Sequence, residues 1–200
     1  NKLSAFLPVC KAMLDLGPEW LDRYVRQVLY EALANGLEDG IVNGTGKDMP
    51  IGMIRQVGDS VSVQGGVYPE KEAIKITKLD DIQLGNATSI LAVDENGKAR
   101  TVDTLIMIVN PSDYFKKVRP AIQRPAPGGG YVSNLPFPIE VIQSPAVPIN
   151  RAVYGMAKLY FAGAGLESKG KIFYSDDYRF LEDERVYLIK TYANGFPMDN

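Results

Sequence analysis

The feature that most constrains this chain is a run from residue 18 to about 39 in which apolar side chains return every three or four positions. Trp20, Leu21, Tyr24, Val25, Val28, Leu29, Ala32, Leu33 and Leu37 trace one face of an α-helix. Glu19, Asp22, Arg23, Arg26, Glu31, Glu38 and Asp39 take the other face. Gly17-Pro18 opens the run, and proline's fixed φ and missing N–H suit a first helical turn. At 1.5 Å per residue this is a rod of roughly 30 Å. A rod of that length needs an apolar surface along it, and the β-rich run Val186 to Tyr192 near the far end of the chain is the expected partner.

The remaining segments read mostly as strands and turns. Lys2 to Val9 predicts a short strand and 10–15 a short helix. The breaker-rich run Asn43 to Gly52 ends the long helix. Residues 53–78 read as short strands and loops, 79–93 as a helix, and Asp94 to Lys98 as a polar turn. Leu105-Ile106-Met107-Ile108-Val109 is continuously apolar and β-type, the mark of a strand buried on both faces. Asn110-Pro111 ends it and starts a short helix over 112–118; 123–138, with its prolines and three consecutive glycines, reads as loop. Ile139 to Ile142 and Ala152 to Tyr154 read as strands. A long helix first and a succession of strands later argues an α+β fold. Two hundred residues suit one large domain or two small ones, and an apolar fraction of 46% supports a sizeable core.

Composition narrows the chemistry. There is no histidine, which removes Ser-His-Asp and Cys-His catalysis and the commonest metal ligand. Cys10 is the only cysteine, so an internal disulfide or a cysteine zinc site is excluded; it reads as a buried or half-buried small hydrophobe. Lys/Arg against Asp/Glu number five to seven over 1–50, ten to ten over 51–150 and seven to seven over 151–200. No segment is basic enough to announce nucleic-acid binding, and no stretch of about 18 consecutive apolar residues offers a membrane span.

Two runs imitate a phosphate-binding loop, which needs Gly, four residues and Gly-Lys-Ser/Thr between a strand and a helix. Around Gly46-Lys47 the earlier glycine position holds Ile41 and the next residue is Asp48. Gly165 to Lys171 has the glycine spacing, but Ile172 stands where the magnesium-binding hydroxyl belongs, and Phe173-Tyr174-Ser175 reads as a strand. Gly163-Ala164-Gly165 falls short of a dinucleotide fingerprint because Ser168 takes the third glycine position. The acidic cluster Asp176, Asp177, Glu182, Asp183 and Glu184 is interleaved with Arg179 and Arg185 and reads as an exposed, ion-paired turn and strand. No catalytic, cofactor-binding or metal-ligating residue is assigned. Six tyrosines in the last fifty residues, Tyr154, Tyr160, Tyr174, Tyr178, Tyr187 and Tyr192, suit surfaces that become interfaces as well as they suit core packing.

Taken in order, five segments resemble the tailed-phage major capsid family with its Hong Kong 97-type fold. They are the strand-then-helix entry Phe6 to Asp15, the long helix with Leu21-Asp22-Arg23-Tyr24-Val25, and the helix exit Gly40 to Met53. The fourth is the strand ending in Asn110-Pro111 and leading to Tyr114. The last comprises Leu135-Pro136-Phe137-Pro138, Gly155 to Tyr160 and Tyr174 to Arg185. No one of these is specific; their order and spacing over nearly the whole chain are.

The resemblance implies a structural protein and not an enzyme. It implies a peripheral domain built from residues 1–50, carrying a spine helix, and from 161–200, which return to its sheet. Residues 51–160 would form a mixed α/β axial domain. It also implies copies of the chain as partners, in hexamers and pentamers of an icosahedral shell around DNA, with scaffold, protease and portal proteins as further partners. Neither a membrane nor sequence-specific nucleic acid is expected. The location implied is the virion, after synthesis in the bacterial host cytoplasm. The family's N-terminal arm and extended loop would lie upstream of Asn1, and a last short strand beyond Asn200. An encapsulin-type shell shares the fold, and a nucleotide-dependent enzyme using Gly165 to Lys171 is the reading from another class.

Overall fold

The computed structural model describes residues 1–14, 17–94, 96–126, 128–165 and 171–199. Along the chain run β1 (Lys2–Cys10), α1 (Lys11–Leu14), α2 (Pro18–Asn43), α3 (Asp81–Leu91) and β2 (Leu105–Val109). A continuous helical stretch follows, made of α4 (Pro111–Asp113), a π-helical turn (Tyr114–Val118) and α5 (Arg119–Ile122). Then come β3 (Gln123–Pro125), β4 (Tyr131–Ser133), β5 (Ile139–Gln143), β6 (Ala152–Met156), a 3₁₀ turn (Ala157–Leu159), β7 (Tyr160–Ala164), β8 (Ile172–Arg179) and β9 (Glu184–Pro197).

β9 is the beam of the molecule. Its first half pairs antiparallel with β1 on one side, from Lys2↔Tyr192 to Cys10↔Glu184, and with β8 on the other. Its last five residues pair with β7. Alternation then divides the sheet into two faces. Leu3, Ala5, Leu7 and Val9 point to one side with Tyr187, Ile189 and Ile172, and there they meet Leu21, Val25, Leu29 and Leu33 of α2 in a single core cluster. The expected packing of the long helix along the last strand is therefore present.

The helix departs from expectation in two ways. It runs four residues further, to Asn43, because Gly40 is buried against Pro50 and the backbone turns only at Gly44, where an added Cβ would fall 2.2 Å from the Pro50 carbonyl oxygen. Its buried stripe is also narrower than the sequence pattern. Trp20, 61% exposed, and Tyr24 stack on each other outside the core at 5.7 Å, and Ala32 is exposed too. One sheet covers only about a third of a helix's circumference, so the flank of a wide apolar stripe stays bare. Gly36 lets the helix approach β1: a Cβ there would lie 3.1 Å from Leu3.

The middle of the chain packs around β2, the central strand of a sheet ordered β5-β2-β6, parallel to β5 and antiparallel to β6. All five of its residues are buried, as the continuous apolar run requires. Met107 and Val109 face Leu84 of α3 with Val118 and Ile122; Ile106 and Ile108 face Val147 and Val42, the last turn of α2. The long helix thus ends inside the second core.

Arg55 secures that end. Its guanidinium, 13% exposed, donates to the carbonyls of Asn43, Gly44 and Tyr68 and pairs with Glu70. The Asn43 and Gly44 carbonyls are ones that a helix C-terminus leaves without an intrahelical partner.

Several expectations need correction. Cys10 is exposed, not buried: Val9 takes the inward position of β1, and a period of two sends the next side chain out. The helix expected at 112–118 runs from Pro111 to Ile122, its start capped by Asn110, whose side chain accepts from the Ser112 N–H. Residues 53–78 hold isolated bridges, Arg55↔Glu70 and Gln64↔Val67, in place of strands. The stretch 123–138, expected as loop, contains the hairpin β3–β4. The helix expected over 79–93 is present as α3, capped by Asp80. Residue 15 of the first short helix, 95 of the polar turn, 127 of the proline-rich loop and 166–170 of the Gly165–Lys171 run lie outside the described residues.

Candidate functional site

Of the two runs that imitate phosphate loops, the one around Gly46-Lys47 is a tight loop closed by the Thr45↔Ile51 bridge. Gly46, at φ 91°, donates its N–H to the Pro50 carbonyl and faces the Tyr68 ring. Gly165 donates to the Tyr192 carbonyl, and β8 begins at Ile172 directly after Lys171, so a strand occupies the place where a phosphate would need a helix N-terminus. Three of the five acids of residues 176–184, Asp176, Asp183 and Glu184, are drawn into ion pairs. Arg185 grips Asp176 through two hydrogen bonds of 2.6 and 2.9 Å, Arg179 bonds Glu184 at 2.5 Å, and Lys11 lies 3.7 Å from Asp183. The hydrogen bond from Arg185 holds the Asp176 carboxyl below the usual carboxylate range. Among the described residues no three carboxylate or thiol side chains gather in a metal-holding group.

Two further groups are perturbed for structural reasons. Burial pushes the Tyr160 phenol up to about 12, and its hydroxyl donates to the Ile51 carbonyl, joining β7 to the exit of α2. Asp113 sits nearly buried in α4, where Lys117 and the N–H of Asn150 both bond its carboxylate and hold it below the usual range. Both act as fasteners between elements.

What the structure offers outward is apolar surface. On the face of the sheet away from α2, Phe6, Leu188 and Phe173 stand opposite one another across three strands. Lys190 and Lys171 lie over the Phe173 ring at 4.8 and 5.4 Å. Tyr178 near the end of β8, and Phe180 and Leu181 in the β8–β9 turn, are exposed, the last 94%. On the middle part, Ile74, Ile82 and Ile90 are exposed around α3, and Tyr131 and Val132 on the β3–β4 hairpin. Scattered apolar side chains are ordinary on a surface, but rows and clusters of them mark places where another surface sits. Of the six late tyrosines, Tyr174, Tyr178 and Tyr192 are exposed, Tyr154 and Tyr160 half-buried and Tyr187 buried, so the group divides between interface-ready surface and core. The cross-strand row was not read from the sequence. Its signal was the alternation in β1, which turns Phe6 outward once Leu7 and Val9 are assigned to the core.

Comparison with known proteins agrees with this picture of a surface-rich scaffold. The sequence profile of the phage capsid family matches residues 1–122. No curated protein matches the sequence. Among solved structures, the fold is similar to a chain from the capsid of an empty GTA particle computed with C5 symmetry, with a TM-score of 0.56, 13% identity, 100% of this chain and 70% of that one. It is similar to the native GTA particle capsid, TM-score 0.57, 13% identity, covering 100% and 69%. It is also similar to a chain of Gordonia phage Cozz, TM-score 0.58, 13% identity, covering 100% and 67%.

Proposed function

The chain belongs to the phage capsid family and is a structural, shell-building subunit; from that premise we propose that copies of it form the hexamers and pentamers of an icosahedral shell enclosing DNA. The family match over residues 1–122, across the spine helix and into the middle part, carries this reading. The geometry supports it physically. A helix of 26 residues on a sheet braced by a 14-residue strand makes a flat, stiff plate. Plates tile when their contacts are repeated and symmetric. Residues 1–50 and 161–200 act as the peripheral unit, and 51–160 as the axial unit that meets its copies at ring centres. The chain has no enzymatic role in this reading, is made in the host cytoplasm and ends in the virion. Scaffold, protease and portal proteins are its further partners.

The test is compositional. Particles purified from the cell that encodes the chain should contain it as their most abundant protein, with DNA inside and five- and sixfold rings by electron microscopy. Particles filled with a protein cargo in place of DNA would move the reading to an encapsulin-type shell. A chain recovered only outside particles would overturn both.

A further inference from the structure

We propose that neighbouring copies join head to tail by strand addition, the β3–β4 hairpin of one copy docking on the open backbone of residues 72–76 of the next. This rests on the shell reading and names a contact within it. Residues 72–76 belong to no helix or strand, and among the described residues none of their backbone N–H or C=O groups is hydrogen-bonded. The pairing stops on either side of them, with Lys71 N–H on the Ile54 carbonyl and Thr77 N–H on the Gln83 side chain. Between this open edge and α3 runs a groove of about 480 Å³, lined by Ile74, Ile76, Gln83, Ala87 and Ile90. An unpaired backbone edge beside an apolar groove is the geometry that captures an extended strand.

The hairpin is the complementary part. It has three residue pairs, and every residue of its two strands but Gln123 is exposed, Tyr131 and Val132 included. A two-stranded hairpin is marginal in water and gains from a third strand. Arg119 and Arg124 are the only charged residues between 119 and 138, whereas 70–81 holds four acids against three lysines. The chain that follows the hairpin packs on α3 away from the groove. Gln83, Ala87 and Ile90 line the groove on one flank of α3, while Phe137, just beyond the hairpin, approaches α3 at Gly85 on the opposite flank. A knob and a socket made of different residues give a heterologous contact, which closes rings when the rotation allows.

Two charge-introducing variants test the contact, and both positions are exposed, Ile74 at 60% and Val132 at 57%, so folding should be retained. Ile74→Asp blocks the socket and Val132→Asp the knob. The unsubstituted chain, taken from ~10 to ~500 μM by sedimentation, should form oligomers, while each variant alone should associate at least tenfold more weakly. An equal mixture of the two should form one-to-one dimers and nothing larger, since one intact knob meets one intact socket. Hydrogen exchange should slow at residues 72–76 and in the hairpin as oligomers form. Oligomers of the unsubstituted chain that persist in both variants, or that leave those amides exchanging freely, would overturn the contact and leave the shell reading standing. No oligomer at ~500 μM would also overturn it, and the particle composition would still decide the shell reading separately.

Discussion

At the scale of single residues, burial separates side chains that the sequence pattern treats alike. Leu29 and Trp20 both belong to the apolar pattern of α2, but Leu29 is sealed against Tyr187 and Ile189 while Trp20 stands outside. Leu29→Ala should cost about 2–4 kcal/mol through lost transfer energy and a cavity. Glu31→Ala, on the exposed side, should cost under ~0.5 kcal/mol. Equal losses in urea titrations would show that the wrong face is buried. Asp113 gives a pH signature. Its folded carboxyl titrates below the ordinary value, so its stabilising contribution is present above about pH 4 and fades as pH falls through the folded value. Asp113→Asn should therefore be less stable than the unsubstituted chain at pH 7, with the gap narrowing below about pH 4. A gap that stays constant from pH 7 to 3 would sink this. Calorimetry with ATP and magnesium should find no dissociation constant below ~10 μM, an affinity of about −7 kcal/mol that needs an organised site. Ile172 lacks the hydroxyl such a site requires and opens a strand.

At the scale of elements, caps and crossing points decide where each helix ends and what it touches. The long helix ends in the second core with its last carbonyls on Arg55, a side chain twelve residues downstream of Asn43. Arg55→Met should cost about 2–4 kcal/mol, since several part-buried carbonyls lose a charged donor together. Faster hydrogen exchange should be confined to the last turn of α2 and the 52–70 segment. Exchange that quickens along the whole helix would assign Arg55 a different role. Asn110 does the same work at the start of α4, accepting from Ser112 N–H and donating to the Val147 carbonyl. The Asn110-Pro111 pair announced that start in the sequence, because an N-cap side chain and a proline at the first helical position are local signals. Nothing local announced Arg55, which lies in a segment read as strands and loops.

At the scale of the whole molecule, β9 ties the parts together. It pairs with β1, β8 and β7 in turn, and its exit is held where Arg100 bonds Asp199 and Met198 N–H meets the Leu159 carbonyl. The proposed strand contact is small, three residue pairs on one side, and association costs several kcal/mol of lost freedom before any contact is repaid. The chain should therefore be monomeric at ~10 μM and associate only at several hundred micromolar by sedimentation equilibrium. Tight oligomers at ~10 μM would move the assembly energy to a larger surface, such as the Phe6–Leu188–Phe173 row. The sequence by itself determined the elements whose signals are local or periodic. These are the three-and-four spacing of α2, the fully apolar β2, the helix start at Asn110-Pro111, and the absence of histidine that removes whole classes of catalysis. Only the tertiary structure decided which half of the helical stripe is buried, that Cys10 faces out, that 123–138 folds back as a hairpin, and that 72–76 is left unpaired. The physical reason is common to all four. Each depends on whether another element lies alongside, and on which face, which the residues of one segment do not record.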